Sequence, residues 1–149
     1  MAFRLAYTIL RASWFLHRPR FNGVKCVLTD QDRVLLVRHS YGPRQWELPG
    51  GGIKRHELPS GAARREMREE LGIDIDDWMA LGEMPASIHG RDGTLHCFAA
   101  TPSATRIAAD RGELAAAAWF APTALPSDLG PYVASIIARA LATAGGDEG

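Results

Sequence analysis

The sequence predicts an α/β (α+β) fold in which helices cover a mixed β-sheet. Three observations lead to this fold class: a length suited to one domain, several short segments typical of strands, and two separate helical segments. At 149 residues the chain suits a single core, which buries roughly 70% of the surface that the unfolded chain exposes. Strands, one central helix, more strands and a terminal helix differ from a regular βαβ alternation, so we expect a mixed sheet.

Two strands are predicted near the start of the domain, at residues 21–29 and 34–39. The tripeptide between them, residues 30–32, has the short polar chemistry of a hairpin turn. We therefore expect the two strands to pair antiparallel. The short apolar segment 46–48 follows, and Pro49 with three glycines after it predicts a loop.

The central helix is predicted at residues 59–71. Apolar side chains recur every four residues along it, at Ala63, Met67 and Leu71. Pro59 suits the first helical turn, because proline has no backbone N–H to leave without a partner there. Gly72 stands where a left-handed residue commonly ends a helix.

The second half of the domain is predicted to supply three strands and a closing helix. The strands are expected at residues 78–84, 94–100 and 116–120. A turn signal at 90–93 precedes the second of these strands. The closing helix covers 132–142, the domain as a whole spans 21–144, and the last residues, 145–149, are expected to be a frayed, disordered tail.

Residues 1–20 form an N-terminal extension with its own helical pattern. Its apolar side chains recur at helical spacing, at Phe3, Tyr7, Leu10 and Trp14. This stripe predicts an amphipathic helix that docks on the domain or on a second subunit, so a homodimer stays open. Nearby arginines make contact with a membrane surface the alternative interpretation. No segment of the sequence is long enough to span a bilayer.

Charge and cysteine content exclude several classes of protein. The 17 lysines and arginines balance the 17 aspartates and glutamates, so we expect no stable nucleic-acid or membrane partner. Cys26 and Cys97 lie far apart and outside any Cys-x-x-Cys spacing, which argues against a structural zinc site or a disulfide framework. Both are expected to be buried core residues in a cytoplasmic protein.

Three glutamates on the central helix are the first sign of chemistry. Glu66, Glu69 and Glu70 stand at positions i, i+3 and i+4, which places their carboxylates on one face. One interpretation is a solvated face whose carboxylates pair with the arginines of residues 64–68. The other is a site for Mg²⁺ or Mn²⁺, which bind carboxylates and complete their coordination with water and phosphate oxygens. The helix alone favours neither.

The loop before the helix supports the cation site. Pro49 is followed by Gly50, Gly51 and Gly52, whose lack of side chains lets the backbone approach a ligand or a metal closely. A carbonyl of such a loop can serve as a metal ligand. A glycine run followed by Ile53 does not match the nucleotide-binding patterns of dehydrogenases or P-loop proteins. The signal is therefore the combination of loop and helix.

Loop and helix together form a spaced pattern across residues 51–73. Gly51 is followed after five residues by Glu57, and after seven more by the run R-E-M-R-E-E-L-G-I at residues 65–73. This pattern resembles the Nudix box at every defined position. The chain is therefore similar to the Nudix hydrolase family.

The resemblance extends to the lead-in at residues 48–51 and to Trp119 and Phe120, and it covers roughly residues 23–126. It implies an α/β/α sandwich around a mixed β-sheet. It also implies hydrolysis, with Mg²⁺ or Mn²⁺, of a nucleoside diphosphate linked to another moiety. The partner would be a nucleotide-type small molecule, such as a nucleoside di- or triphosphate or a nucleotide sugar.

The resemblance also implies roles for single residues. The metal ligands would come from the helix and from the segment before it: Glu66, Glu69, Glu70, the Gly50 carbonyl and Glu57. Catalysis would fall to Glu66, Glu70, Arg65 and Glu113. Arg65 would orient a carboxylate, most naturally Glu69. Either Glu66 or Glu113 would act as the general base that accepts a proton from water.

Basic and aromatic residues near the loop are weaker candidates. Three of them are expected either to bind substrate phosphates or to serve only solubility: Arg38, His39 and Arg44. Trp46 has the chemistry to stack on a base, but its place before the loop is more typical of the core. Of His89 and His96, we expect one at most to touch the ligand.

Three functions are compatible with the resemblance. An active pyrophosphohydrolase needs the full set of box glutamates, which this chain has. A module that senses a nucleotide without cleaving it usually lacks one or more of them. RNA 5′-end processing predicts a basic channel, and the neutral overall charge gives that little support. Residues 88–91 lack the proline or tyrosine marker of relatives that act on ADP-ribose or dinucleoside polyphosphates, so the leaving group stays open.

Overall fold

The computed structural model of the protein describes residues 20–103, 106–109 and 112–146. The predicted N-terminal extension, residues 1–20, lies outside this part of the chain except for Arg20, and its amphipathic stripe lies wholly outside. Residues 147–149 of the predicted tail are also outside. The dimer contact expected of the stripe is likewise not described.

The described residues form six strands and two helices, with three strands before each helix. In chain order they are β1 (Phe21–Asp30), β2 (Arg33–His39), β3 (Gly50–Gly52), α1 (Pro59–Leu71), β4 (Met79–Ile88), β5 (Arg91–Ala100), β6 (Leu114–Phe120) and α2 (Val133–Gly146). Gly145 and Gly146, which the sequence assigned to the tail, form the last residues of α2. No helix among the described residues is both long and apolar enough to cross a membrane.

The strands form a mixed sheet in the order β4-β5-β1-β2-β6, with β3 paired to β1. β1 and β5 are parallel, whereas the other pairs are antiparallel. The predicted mixed sheet is therefore confirmed. The glycines expected to form only a loop make a short strand instead, because residues 50–52 pair with residues 23–25 of β1.

A helix covers each face of the sheet, which gives three layers. Side chains alternate along β1, so Val24 and Cys26 belong to the core under α1, while Phe21 and Val27 belong to the core under α2. Cys97 lies in the second core, and both cysteines are buried and free, as predicted. The three-layer arrangement places α1 directly over β1 and β3, where the glycines lie.

The first hairpin is built as the sequence predicts. Gln31 and Asp32 form its turn, with φ angles of 47° and 63°. Two successive positive φ values match the right-handed twist of paired strands. Only the two rungs next to the turn pair β1 with β2. Beyond them β2 leaves to pair with β6, so β1 can accept β3.

The second hairpin differs from its prediction in length. Its turn consists of His89 and Gly90, with φ angles of 53° and 75°, rather than the longer stretch 90–93. β4 accordingly runs four residues beyond the predicted 78–84. The prediction ended the strand before Pro85, because proline cannot donate a hydrogen bond within a sheet. β4 is an edge strand, however, and an edge strand tolerates a proline because one side of it needs no N–H donor.

Candidate active site

Helix α1 carries the glutamates and is fixed at both ends. Pro59 occupies the first turn, and Gly72 ends the helix in the left-handed region with φ of 66°. The Gly72 N–H donates to the Arg68 carbonyl at 3.1 Å, and the Ile73 N–H donates to the Met67 carbonyl at 3.3 Å. These contacts satisfy carbonyls at the end of the helix. The predicted helix bounds are thus observed.

Two of the three helix glutamates are buried. Only 1% of Glu66 and 2% of Glu70 is exposed, while the side chain of Glu69 is 32% exposed. A solvated face would leave all three carboxylates in water, so that interpretation is wrong for Glu66 and Glu70. Burial of an ionised carboxylate costs several kcal/mol unless charge and hydrogen bonds compensate. Two such groups on one helix point to a functional site.

The guanidinium of Arg65 joins the helix to the segment before it. Its Nε and Nη2 donate to the two carboxylate oxygens of Glu57 at 2.9 and 2.8 Å, and Nη2 also donates to the Gly52 carbonyl at 2.8 Å. Nη1 lies 2.9 Å from Oε1 of Glu66 and 3.4 Å from Oε2 of Glu69. The sequence favoured Glu69 as the main partner, whereas Glu57 receives the bidentate pair and Glu66 the shorter single contact.

The contacts of Arg65 shift the pKa values of the groups involved. The hydrogen bonds from Arg65 lower the pKa of Glu57, and those same bonds are the main cause of a raised pKa of Arg65. The other two arginines of the helix, Arg64 and Arg68, bind Asp74 beyond the helix end, at 2.8 and 2.9 Å. Both arginines thus pair with a carboxylate outside the glutamate cluster, whereas the solvated-face interpretation assigned them to the glutamates.

The glycine loop lies in close contact with β1 and with a helix glutamate. A Cβ on Gly50 would lie 2.0 Å from the Val24 carbonyl oxygen, and a Cβ on Gly51 would lie 2.4 to 2.6 Å from the carboxylate atoms of Glu66. Neither position has room for a side chain. The glycines are thus required because backbone and carboxylate approach closely, which is the reason predicted from the sequence.

The pKa of the Cys26 thiol is affected by the negative charges beneath this loop. Burial raises its pKa well above the ordinary value, and the negative charges of Glu70 and then Glu66 raise it further. Cys26 is on β1, and its N–H donates to the Pro49 carbonyl at 2.9 Å. Both buried glutamates therefore lie near the point where β1 supports the loop.

Glu113, the second candidate for the general base, comes immediately before β6 and is 6% exposed. Its carbonyl accepts hydrogen bonds from the N–H and the hydroxyl of Ser40, at 3.0 and 3.2 Å. These bonds fix the backbone of Glu113 beside the end of β2, which is the strand that leads to the glycine loop.

The three candidates for phosphate binding have different surroundings. Arg38 lies 4.7 Å above the Trp46 ring and is paired with Asp128, so it already has partners. His39 ends β2, and its ring lies 5.7 Å from that of Tyr41. Arg44 is exposed. Arg38 is thus tied to the loop before α2, and only Arg44 of the three projects into solvent.

Two further aromatic candidates, Trp46 and His96, contact neighbouring side chains. Trp46 packs its ring edge-on against Phe120, at 5.0 Å between centroids, in keeping with the core position that the sequence favoured. His96 lies 2.9 Å from the side-chain oxygen of Asn22 and 3.5 Å from Glu83.

Two residues near the loop were missed by sequence reasoning, Lys25 and Glu47. Lys25 interrupts the apolar run of residues 24–28, and Glu47 stands between Trp46 and Leu48, so each breaks a hydrophobic pattern. That interruption was the available signal. In the structure the two side chains form an ion pair at 3.7 Å with about a fifth of each exposed.

A cavity of about 1160 Å³ in the described part of the chain lies away from this site. It is bounded by Ile75 and Trp78 in the segment between α1 and β4, by Met79 at the start of β4, and by the end of α2. None of the box glutamates lines it. The buried carboxylates of α1 therefore lie outside this cavity.

The donor set fits a hard divalent cation. It combines carboxylates with a backbone carbonyl on rigid elements, which are the oxygen donors that Mg²⁺ and Mn²⁺ take. Among the described residues, no three acidic, histidine or cysteine side chains already converge on one metal position. Two of the candidate ligands, Glu57 and Glu66, instead form ion pairs with Arg65, at 2.8 and 2.9 Å.

Comparison with known proteins agrees with the box. The family model of the NUDIX domain matches residues 19–140, which is most of the chain. Diphosphoinositol polyphosphate phosphohydrolase 2 of Rattus norvegicus is 51% identical over 49 residues, covering 32% of this chain and 27% of that protein. ADP-ribose pyrophosphatase of Mycobacterium tuberculosis is 34% identical over 86 residues, covering 54% of this chain and 42% of that protein. The matches thus span less than half the length of either relative.

A solved structure shares the fold. The crystal structure of a MutT NUDIX hydrolase from Burkholderia pseudomallei aligns with a TM-score of 0.74 at 23% identity, covering 80% of this chain and 97% of that one. At this level of identity the likeness concerns architecture. The overall fold of the chain is therefore shared with that protein.

Proposed function

The chain belongs to the Nudix family, and on that premise we propose that it is a pyrophosphohydrolase. With Mg²⁺ or Mn²⁺ it would hydrolyse a phosphoanhydride bond in a nucleoside diphosphate linked to another moiety. One observation carries the proposal: Glu66 and Glu70 are buried charged groups, and the Glu66 carboxylate lies directly against Gly51. Packing alone gives no reason to bury two carboxylates at this place.

Residues of α1 and the glycine loop would hold the cation. Glu66, Glu69 and Glu70 supply carboxylates from one helix face, and the Gly50 carbonyl and Glu57 are the further candidates. A bound divalent cation lowers the pKa of water from about 15.7 toward 7 and neutralises charge on phosphate oxygens. The wider exposure of Glu69 places it toward solvent, where a substrate would arrive.

Arg65 would keep the carboxylates in place during the reaction. Its bidentate hold on Glu57 and its contact with Gly52 fix the guanidinium, so Nη1 presents a steady donor to Glu66. A carboxylate so held cannot rotate freely. The proton of the attacking water would pass to Glu66 or to Glu113, both of which are buried acids.

The proposal is tested by Glu70→Gln, which keeps the shape of the side chain and removes its charge. We expect turnover to fall at least about a hundredfold, because a ligand to the activating cation is lost. Glu83→Gln is the matched control, since it makes the same change on an exposed side chain of β4. Undiminished turnover in Glu70→Gln would contradict the assignment.

The substrate is identified by a panel assayed with and without Mg²⁺, with both products determined. ADP-ribose and a diphosphoinositol polyphosphate enter the panel because of the two relatives' names, beside nucleoside triphosphates, nucleotide sugars, dinucleoside polyphosphates and capped RNA. Hydrolysis in ¹⁸O-labelled water shows which phosphorus is attacked. Tight binding of one compound without turnover would instead favour the sensing module.

A further inference from the structure

Lys25 has an unusual place for a lysine. It lies in the middle of β1, directly opposite Gly50 in the β1–β3 pairing, and only 19% of its side chain is exposed. Its neighbours Val24 and Cys26 face the core under α1. Because side chains alternate along a strand, the Lys25 side chain projects to the other face, behind the glycine loop as seen from α1.

Lys25 and the next residue bind two successive carbonyls of the loop. Nζ of Lys25 donates to the Leu48 carbonyl at 3.4 Å, and the N–H of Cys26 donates to the Pro49 carbonyl at 2.9 Å. The carbonyl that follows is that of Gly50. Its direction is therefore limited by the two peptides before it, one of which is held by a side chain.

Glu47 is the ion-pair partner of Lys25 and is itself fixed in place. Its N–H and carbonyl both bond to Val37 at 2.8 Å, so its backbone is fixed to β2. Its carboxylate contacts Lys25 and lies so close to Gly130 that a Cβ there would be 1.7 Å from Oε1. Burial raises the pKa of Glu47, and the charge of Lys25 opposes that rise. Loss of Lys25 would leave a largely buried carboxylate without this cation.

We propose that Lys25 is a positioning residue that, together with Glu47, holds the loop leading into Gly50 in the geometry needed for cation binding. This inference rests on the proposed function. Lys25 acts through Leu48 and the loop and need not touch the substrate. The effect of losing it should resemble the loss of other groups that orient metal ligands, about 10- to 100-fold in metal affinity.

The test compares Lys25→Met, Lys25→Arg and Lys54→Met. Lys54 is the other lysine of the chain and is exposed, so Lys54→Met matches the loss of one ammonium group in the same region. Mn²⁺ affinity is measured by titration of each folded protein without substrate. We expect Lys25→Met to weaken Mn²⁺ binding about 10-fold or more, Lys25→Arg to recover most of it, and Lys54→Met to stay within about twofold of the original protein.

Kinetics separate positioning from general support of the fold. With a substrate from the panel, Lys25→Met should lower kcat, and excess Mn²⁺ should restore part of it. Lower thermal stability with unchanged Mn²⁺ affinity and kcat in the folded protein would overturn the inference. An original protein that binds Mn²⁺ but hydrolyses nothing would contradict the proposed reaction and leave the affinity comparison to decide on Lys25. Absence of Mn²⁺ binding would overturn both.

Gly130→Ala gives an independent check from outside the box. Its new Cβ would displace the Glu47 carboxylate and, through it, Lys25. If the three residues act as one support, the losses of Mn²⁺ affinity in Gly130→Ala and Lys25→Met should not add in the double variant. Fully additive losses would contradict a shared support.

Discussion

Substitution of Gly51 by alanine is the sharpest test of the close contact at the site. The added Cβ would lie 2.4 Å from Cδ of Glu66 and 2.5 and 2.6 Å from its two oxygens, far inside van der Waals distance. Gly51 does not have a positive φ, so alanine meets no backbone strain there. The whole effect must come from the displaced carboxylate.

The magnitude follows from the packing. Glu66 is 1% exposed and cannot move into solvent without opening the core, so we expect about 1–3 kcal/mol of destabilisation from overpacking. For a domain of this size, that corresponds to a fall in Tm of roughly 2–12 °C. Activity should fall about a hundredfold, because a shift of about 1 Å in a catalytic group has that effect.

The assay measures Tm, Mn²⁺ affinity and turnover of Gly51→Ala beside Gly61→Ala. Gly61 is an exposed residue of α1, and a Cβ there would meet only Cγ of Glu57, at 3.9 Å. Gly61→Ala should therefore keep full activity and gain about 0.5–1 kcal/mol from the higher helix propensity of alanine. Wild-type activity and Tm in Gly51→Ala would refute the contact between Gly51 and Glu66.

Two further predictions concern ionisation. Arg65 lowers the pKa of Glu57 in the folded state. The ion pair therefore stabilises the folded protein fully above the pKa of Glu57 in the unfolded chain, about 4.5, and this contribution is lost as pH falls through the lower pKa of the folded state. Urea unfolding should thus show a difference between the original protein and Glu57→Gln near neutral pH that shrinks in acid; a constant difference would contradict it. Cys26 and Cys97 have raised pKa values through burial, so thiol reagents should modify them only after unfolding, and rapid labelling of the folded protein would refute this.

Local patterns predicted much of the fold. The periodicity of α1, its proline start and its glycine end are determined by neighbours in sequence, and all three are observed. The first hairpin was predicted from its polar turn for the same reason. The parallel pairing of β1 with β5 joins residues about seventy positions apart, and no local signal specifies it. The strand formed by the glycines was missed likewise, since only its pairing with β1 makes it a strand.

In the candidate site, too, local spacing predicted some features, while others depend on contacts between distant residues. Spacing placed Glu66, Glu69 and Glu70 on one face, but burial of the first and last depends on how α1 lies on the sheet. The partner of Arg65 could not be read from helical spacing, because Glu57 reaches it from outside the helix. The pairing of Lys25 with Glu47 depends on the fold bringing β1 and the segment before β3 together, and the pattern of charges in the sequence cannot show that.

The contacts of Arg65 bear on how the protein can be handled and stored. Small domains whose ligands have no other counter-ion often unfold when the metal is removed. Here a guanidinium already balances part of the acidic cluster, and α1 is held to the sheet by Met67 and Leu71. We therefore expect the domain to fold without a bound metal. If the proposed metal-dependent hydrolysis takes place, a chelator should stop it and leave a folded protein that regains activity when Mg²⁺ or Mn²⁺ is added back.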